Sequence, residues 1–528
     1  MKRCLYILLG LVIGGSVLAE NKTKLIVGIT INQFYPEWLS IYREDLSDGG
    51  FKRLLKAGKE VTADYNYLYS QTGVDQTTIY TGLLPSSHGI VAHDWLERLS
   101  GKRENNTESK EHWEIGTEDS LRGHAPEHLQ ALSLGCMMKM NNAFSKVYSV
   151  GMNPEEVVLS GGNCADLALW FNEKSGKWVS SQYYADSLPA WVREYNDRLV
   201  SDFFVKRGWM PLAEEQDNSL LLKLKNKIGL GSSFYYDIAQ AKRKFNTYRV
   251  LKATPYANSM VTDLAMAVIE ETGLGKDNGV DLLALNYLSL DYMNRDFGLD
   301  AKEFQDMVMR LDKDMANLLE FLDTKVGREN YTIVLTFCEA RELLPEDLEH
   351  MKIQGGYFSV FKAVALLKSY LNLIYGEGDW VMDYDAGQIY LNRELIEKNK
   401  LELREVQDRV AEFMAEFEGV GNVYTAYALA RNSLAEGKGL LVQNSFSQKK
   451  SGDVLFTLLP AWVTELKDAE DNYFRYSKRN KVPVYLYGAG IKGELRKECR
   501  MTDILPTFCF LMGMPALYTL TGNSLFAD

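Results

Sequence analysis

Residues 25–31 read LIVGITI, a short run rich in β-branched residues with no polar alternation. Such a run makes a strand buried on both faces, so it belongs in the middle of a parallel sheet. GGFKRLLKA at 49–57 follows as a short amphipathic helix stopped by Gly58. A second strand-like stretch spans Glu60 to Tyr67, and after a loop Thr77 to Thr81 leads into Gly82. Strand, helix, strand, loop, helix is the rhythm of a doubly wound α/β sheet. It returns late in the chain, with strands at 280–290, 331–336 and 482–487 and a closing helix at 502–510. From Ala301 to Asp323, Phe304, Met307, Val308, Leu311, Met315, Leu318, Leu319 and Leu322 share one helical face, which is a core stripe. Two stretches have another texture, at about 165–250 and about 350–450, and read as cap insertions over one end of the sheet. Open α/β folds bind ligands at the carboxyl ends of their strands, so the chemistry is expected there.

Ahead of this domain, Lys2 and Arg3 precede an apolar run from Leu5 to Leu18 that ends in Val17-Leu18-Ala19 before Glu20. That order reads as a secretory signal over residues 1–19, leaving 20–528 as the exported domain, periplasmic or at the cell surface. Cys4 lies before the apolar run, so it is not the acylated cysteine of a lipoprotein leader. No later segment is long and apolar enough to span a bilayer. Losing Lys2 and Arg3 takes the net charge from −12 to −14, which repels a nucleic-acid backbone. Cys136, Cys164, Cys338, Cys499 and Cys509 are too widely spaced for a CxxC-type zinc site; one or two disulfides are open, without assigned pairing.

Six blocks together resemble the alkaline phosphatase superfamily: KLIVGITINQ (24–33), residues 49–58, YLYSQTGVDQTTIYTG (67–82), PSSHGIVAHDW (85–95), LDYMNRDFG (290–298) and VPVYLYGAG (482–490). The most similar branch is the bacterial exported phosphatases related to nucleotide pyrophosphatase/phosphodiesterases. The resemblance implies two zinc ions about 4 Å apart, activating a Thr or Ser nucleophile. It places the nucleophile at Thr72 and the first metal's ligands at Asn32, Cys338 and Glu339. The second metal's ligands fall at Asp291, Arg295 and Lys481. The substrate-binding Asn of the family falls at His93, and a Lys-x-Arg clamp falls on Asn153-Pro154-Glu155, which carries no cation.

Of those six ligand positions only Asp291 keeps the residue the family implies. Ammonium and guanidinium groups have no lone pair to give a metal, which closes the second site at Arg295 and Lys481. The two cations are expected to compensate Asp291 as a salt-bridge cluster. No cofactor is therefore expected, and the first expectation is a catalytically inactive family member that acts by binding an exported or surface protein. An active phosphoric ester hydrolase using Thr72 with one metal at Asn32, Cys338 and Glu339 is the alternative. A small-anion pocket made by Thr72, Arg295 and Lys481 is the third. His124 and His128 have ligand-like spacing but are expected to be surface loop residues, because Gly123 and Pro126 interrupt the segment. His88 matches a structural turn of the family, and the aromatic pieces at 183–184 and 234–236 are expected to pack.

Overall fold

The computed structural model describes residues 23–118, 121–212, 234–288, 292, 301–339, 343–349, 351–385, 387–467, 473–476 and 480–526. The expected signal at 1–19, Asp291 and Arg295 lie outside the described residues.

The run at 25–31 is the central strand Leu25–Asn32, buried along its whole length. It pairs in parallel with Asp281–Leu288 on one side and Tyr331–Cys338 on the other. The sheet has eleven strands, in the order 499–500, 59–64, 481–488, 331–338, 25–32, 281–288, 147–151, 167–172, 177–181, 108–115, 122–124. Lys481–Gly488 runs antiparallel to both of its neighbours, so its first residue, not its last, lies at the carboxyl end of the parallel strands.

Packing fixes the helix that matters most, Thr72–Thr81. A Cβ at Gly28 would collide with the Tyr80 hydroxyl, so glycine in the central strand lets this helix lie flat against the sheet. The helix starts five residues before the expected 77, and Thr72 becomes its first residue. Lys302–Lys325 buries the predicted stripe, with Phe304, Met307, Leu318 and Leu322 fully enclosed.

The two expected caps differ. At the start of the stretch at about 165–250, Leu167–Asn172 and Lys177–Ser181 extend the main sheet, and Leu169, Phe171 and Trp178 join its core. Apolar alternation in those strands is masked by Trp, Lys and Asn at their edges. Residues at about 350–450 contribute to a separate four-stranded sheet, 381–384, 388–391, 454–458 and 420–425, with its own core around Val364, Leu367, Ile389 and Val410.

Cys136 and Cys164 form a disulfide, and Cys338, Cys499 and Cys509 are buried and outside any disulfide. The bridge closes a loop with a sequence separation of 28. Replacing both cysteines by alanine is expected to cost about 3.5 kcal/mol by the loop-entropy relation, measured by urea unfolding. A loss below about 1 kcal/mol would show that the unfolded chain is already restricted there. No described helix is long and apolar enough to cross a membrane.

Candidate active site

The crevice lies where the parallel strands end. Asn32 closes the central strand opposite Cys338, which closes its neighbour. Both are wholly buried. The chain then turns at Glu339, whose φ of 46° is left-handed and unusual for a residue with a side chain. That turn aims the carboxylate at the start of the Thr72 helix, and Thr72 Oγ1 donates to Glu339 Oε2 at 3.0 Å. Asp75, one turn into the helix and fully buried, holds the arrangement. It accepts from Tyr65 Oη at 3.0 Å, Tyr67 Oη at 2.7 Å, Ser70 Oγ at 2.8 Å and the Glu339 amide at 3.0 Å. Burial pushes its pKa up to about 6, against those hydrogen bonds.

The opposite wall comes from the helix Pro154–Gly161, which follows the strand Val147–Gly151. Glu156 Oε1 accepts from Asn32 Nδ2 at 3.0 Å and from Asn153 Nδ2 at 2.8 Å. Glu155 lies against Gly73, where a Cβ would strike its carboxylate. Glu155 Oε2 meets His93 Nδ1 at 2.7 Å. The Glu155 charge raises His93 to about 9, so the imidazole is cationic at neutral pH. Burial opposes ionisation of Glu155, yet His93 and the Asn106 amide outweigh it and hold the carboxyl below its usual range.

Two expectations are corrected. Lys481 is mostly exposed and pairs with Asp64, while Asp291 lies outside the described residues. The lysine starts its strand directly opposite Asp64, and its Nζ lies 2.9 Å from Asp64 Oδ1 with 65% of the side chain exposed. The clamp position is also not without a cation. Lys252, from the segment Tyr248–Ala253, brings its Nζ to 2.7 Å from Asn153 Oδ1 and 2.6 Å from Glu173 Oε1. Its side chain is 3% exposed, and burial lowers its pKa while Glu173 opposes the shift. Tyr292 Oη also donates to Asn153 Oδ1 at 3.0 Å, and Lys252 lies over the Tyr292 ring. Sequence reading missed Lys252; the only signal was a lysine among the apolar residues Val250, Leu251 and Ala253.

His124 is not a loop residue. It ends the strand Arg122–His124, bonds Thr107 Oγ1 through Nδ1 at 3.0 Å and meets Trp170 edge-on. Burial lowers its pKa to about 4. His88 is enclosed between Thr78 and the Ile90 amide, and burial and the Lys450 charge depress its pKa to about 3. The aromatic pieces pack: Phe234 and Tyr236 meet Trp209, and Tyr183 meets Tyr184.

A zinc pair does not fit the residues present. Asn32 turns its amino group to Glu156, and Lys481 is an ammonium committed to Asp64. Among the described residues no three His, Cys, Asp or Glu side chains gather as a metal site.

A strand-end crevice with a threonine on a helix N-terminus, on a sheet of this order, defines a class. A family model for type I phosphodiesterase / nucleotide pyrophosphatase matches residues 26–336, and the chain belongs to that family. It is similar to alkaline phosphatase PafA of Elizabethkingia meningoseptica, 27% identical over 521 residues, covering 96% of this chain and 95% of that one. A protein of Myroides odoratus named calcium-transporting ATPase is 29% identical over 509 residues, covering 93% and 92%. Alkaline phosphatase PhoV of Synechococcus elongatus is 26% identical over 502 residues, covering 93% and 90%. The crystal structure of wild-type PafA superposes with a TM-score of 0.85 over 96% of this chain and 98% of that chain, at 27% identity.

Proposed function

We propose that the chain is an exported phosphoric ester hydrolase that works at Thr72 without a zinc pair, slowly, and on diesters in preference to monoesters. The hydrogen bond from Thr72 Oγ1 to Glu339 Oε2 carries this reading, because it joins a nucleophile to a base in hydrogen-bond reach. As Thr72 Oγ bonds to phosphorus, Glu339 takes its proton and the ester P–O bond breaks. His93 protonates the departing oxygen. Water then cleaves the phosphothreonine: His93, now neutral, takes a proton from the attacking water, and Glu339 returns its proton to the departing Thr72 Oγ1. His93 and Lys252 supply positive charge, but a dication would stabilise the phosphoryl oxygens more, so turnover is low. Relatives named alkaline phosphatases along nine tenths of the chain support the reaction class. The disulfide supports an oxidising compartment.

Charge supports the diester preference. His93 offsets Glu155 and Lys252 offsets Glu173, and the Glu339 carboxylate lies at Thr72, where the phosphoryl group would sit. A second negative charge on the ligand, ~5 Å from a carboxylate at an effective dielectric of about 20, costs about 3 kcal/mol. The same acidity, with Lys481 tied to Asp64, removes support from an anion pocket built on Lys481.

A second reading is favoured by the donor set that does not fit zinc: a non-catalytic protein that binds an exported or surface partner. Turnover of bis(4-nitrophenyl) phosphate and 4-nitrophenyl phosphate, with and without a chelator, separates the two. The parent should cleave the diester faster, survive chelation, and lose activity about a hundredfold or more in Thr72→Ala. Equal rates for parent and Thr72→Ala would end the hydrolase reading and leave the binding one.

A further inference from the structure

At the outer end of the same sheet face, beside the end of strand Lys59–Asp64, two cavities of about 280 and about 310 Å³ share Arg500 and Thr521. Neither is lined by Thr72, Glu339, Glu155 or His93. Arg500 ends the short edge strand Cys499–Arg500. Its backbone amide is fixed by Asp503 Oδ2 at 2.8 Å, while its guanidinium, like that of Arg496, has no ion pair among the described residues. The acids nearby are engaged: Asp503 also accepts the Asn523 amide, and Asp64 holds Lys481. Glu498 is exposed at the rim.

Asn66, which lines the inner cavity, carries a second unsatisfied group. Asn66 donates its Nδ2 to Thr502 Oγ1 at 3.0 Å, and its backbone carbonyl accepts from Asn444 Nδ2 at 2.7 Å. Its Oδ1 is buried with no hydrogen-bond partner. A buried acceptor left without a donor costs about 1–3 kcal/mol, so it is a group for which a ligand N–H would be the natural complement. Leu84, Leu440 and Leu441 form the apolar part of the same wall.

We propose that this cleft binds a small carboxylate that also carries an amide N–H and an apolar side chain, the chemistry of an N-acylated amino acid or a peptide C-terminus. The carboxylate pairs with Arg500, the N–H with Asn66 Oδ1, and the side chain lies on the leucines. Charge-assisted pairing of a guanidinium with a carboxylate suits Arg500 better than a neutral partner would. The site is independent of the hydrolase reading.

Calorimetry with N-acetyl-leucine tests it, using N-acetyl-leucinamide, 4-methylpentanoate and a short peptide ending in leucine as comparison ligands. N-acetyl-leucine should bind one per chain and weaken about tenfold or more in Arg500→Gln, an exposed substitution that leaves the core untouched. The leucinamide lacks the charge and 4-methylpentanoate lacks the N–H, so each should bind about tenfold more weakly or worse. Tighter binding of the peptide than of N-acetyl-leucine assigns the site to peptide ends, and weaker binding assigns it to the free acylamino acid. Absence of heat with N-acetyl-leucine, equal affinity for the leucinamide, or unchanged affinity in Arg500→Gln would overturn the proposal.

Discussion

Alanine in place of Asp75 is expected to cost about 3–5 kcal/mol, the range for removing one member of a buried charged network. Two tyrosine hydroxyls, the Ser70 hydroxyl and the Glu339 amide all donate to this one carboxylate, which is fully buried. Alanine leaves these four donors without their acceptor. Asp75→Asn keeps the shape and part of the acceptor capacity, so it should fall between the two. The pH dependence carries the same signature. The folded carboxyl titrates at about 6 and the unfolded one at 3.8, so between those values the native state holds more protons than the unfolded one. Stability from this group therefore falls as pH rises from about 4 to about 6, and Asp75→Asn should flatten that limb. Urea unfolding at several pH values measures both. A cost under about 1 kcal/mol for Asp75→Ala would show that the tyrosines re-pair without it.

Local pattern made the scaffold readable. LIVGITI at 25–31 could only be an inner strand, and the apolar stripe at 304–322 could only be a core helix, because each is dictated by neighbours a few residues away. The block that carries Thr72 pointed to the crevice, and the structure sets Thr72 there as the first residue of its helix, bonded to Glu339. What escaped depends on partners far along the chain. Lys481 looked like a buried counter-ion, but its strand runs antiparallel and pairs it with Asp64, a register no local pattern specifies. Lys252 approaches Asn153 from 99 residues away, so a site read as stripped of its cation regains one from another element. The stretch at 165–250 looked like a cap because its aromatic and polar composition hides strands that complete the main sheet. In each case side-chain type was legible and direction was not.

Glu339→Asn should separate the chemical role of this residue from its structural one. Glu339 keeps a φ of 46°, a conformation that costs a non-glycine residue of ordinary type about 1 kcal/mol or more and that asparagine adopts more readily. Strain held at a site while its carboxylate meets the Thr72 hydroxyl at 3.0 Å is the pattern of a group kept for what it does. Asparagine relieves part of the strain and preserves the backbone amide that donates to Asp75, so stability should change by no more than about 1 kcal/mol. It cannot accept the Thr72 proton, so diester turnover should fall about 10²–10⁴-fold, the range general-base catalysis supplies. The two readouts must part company for Glu339 to be the base. If Glu339→Asn unfolds as readily as Asp75→Ala, the carboxylate is a structural cap on the Thr72 helix; if turnover persists at the parent rate, the proton leaves Thr72 by another route.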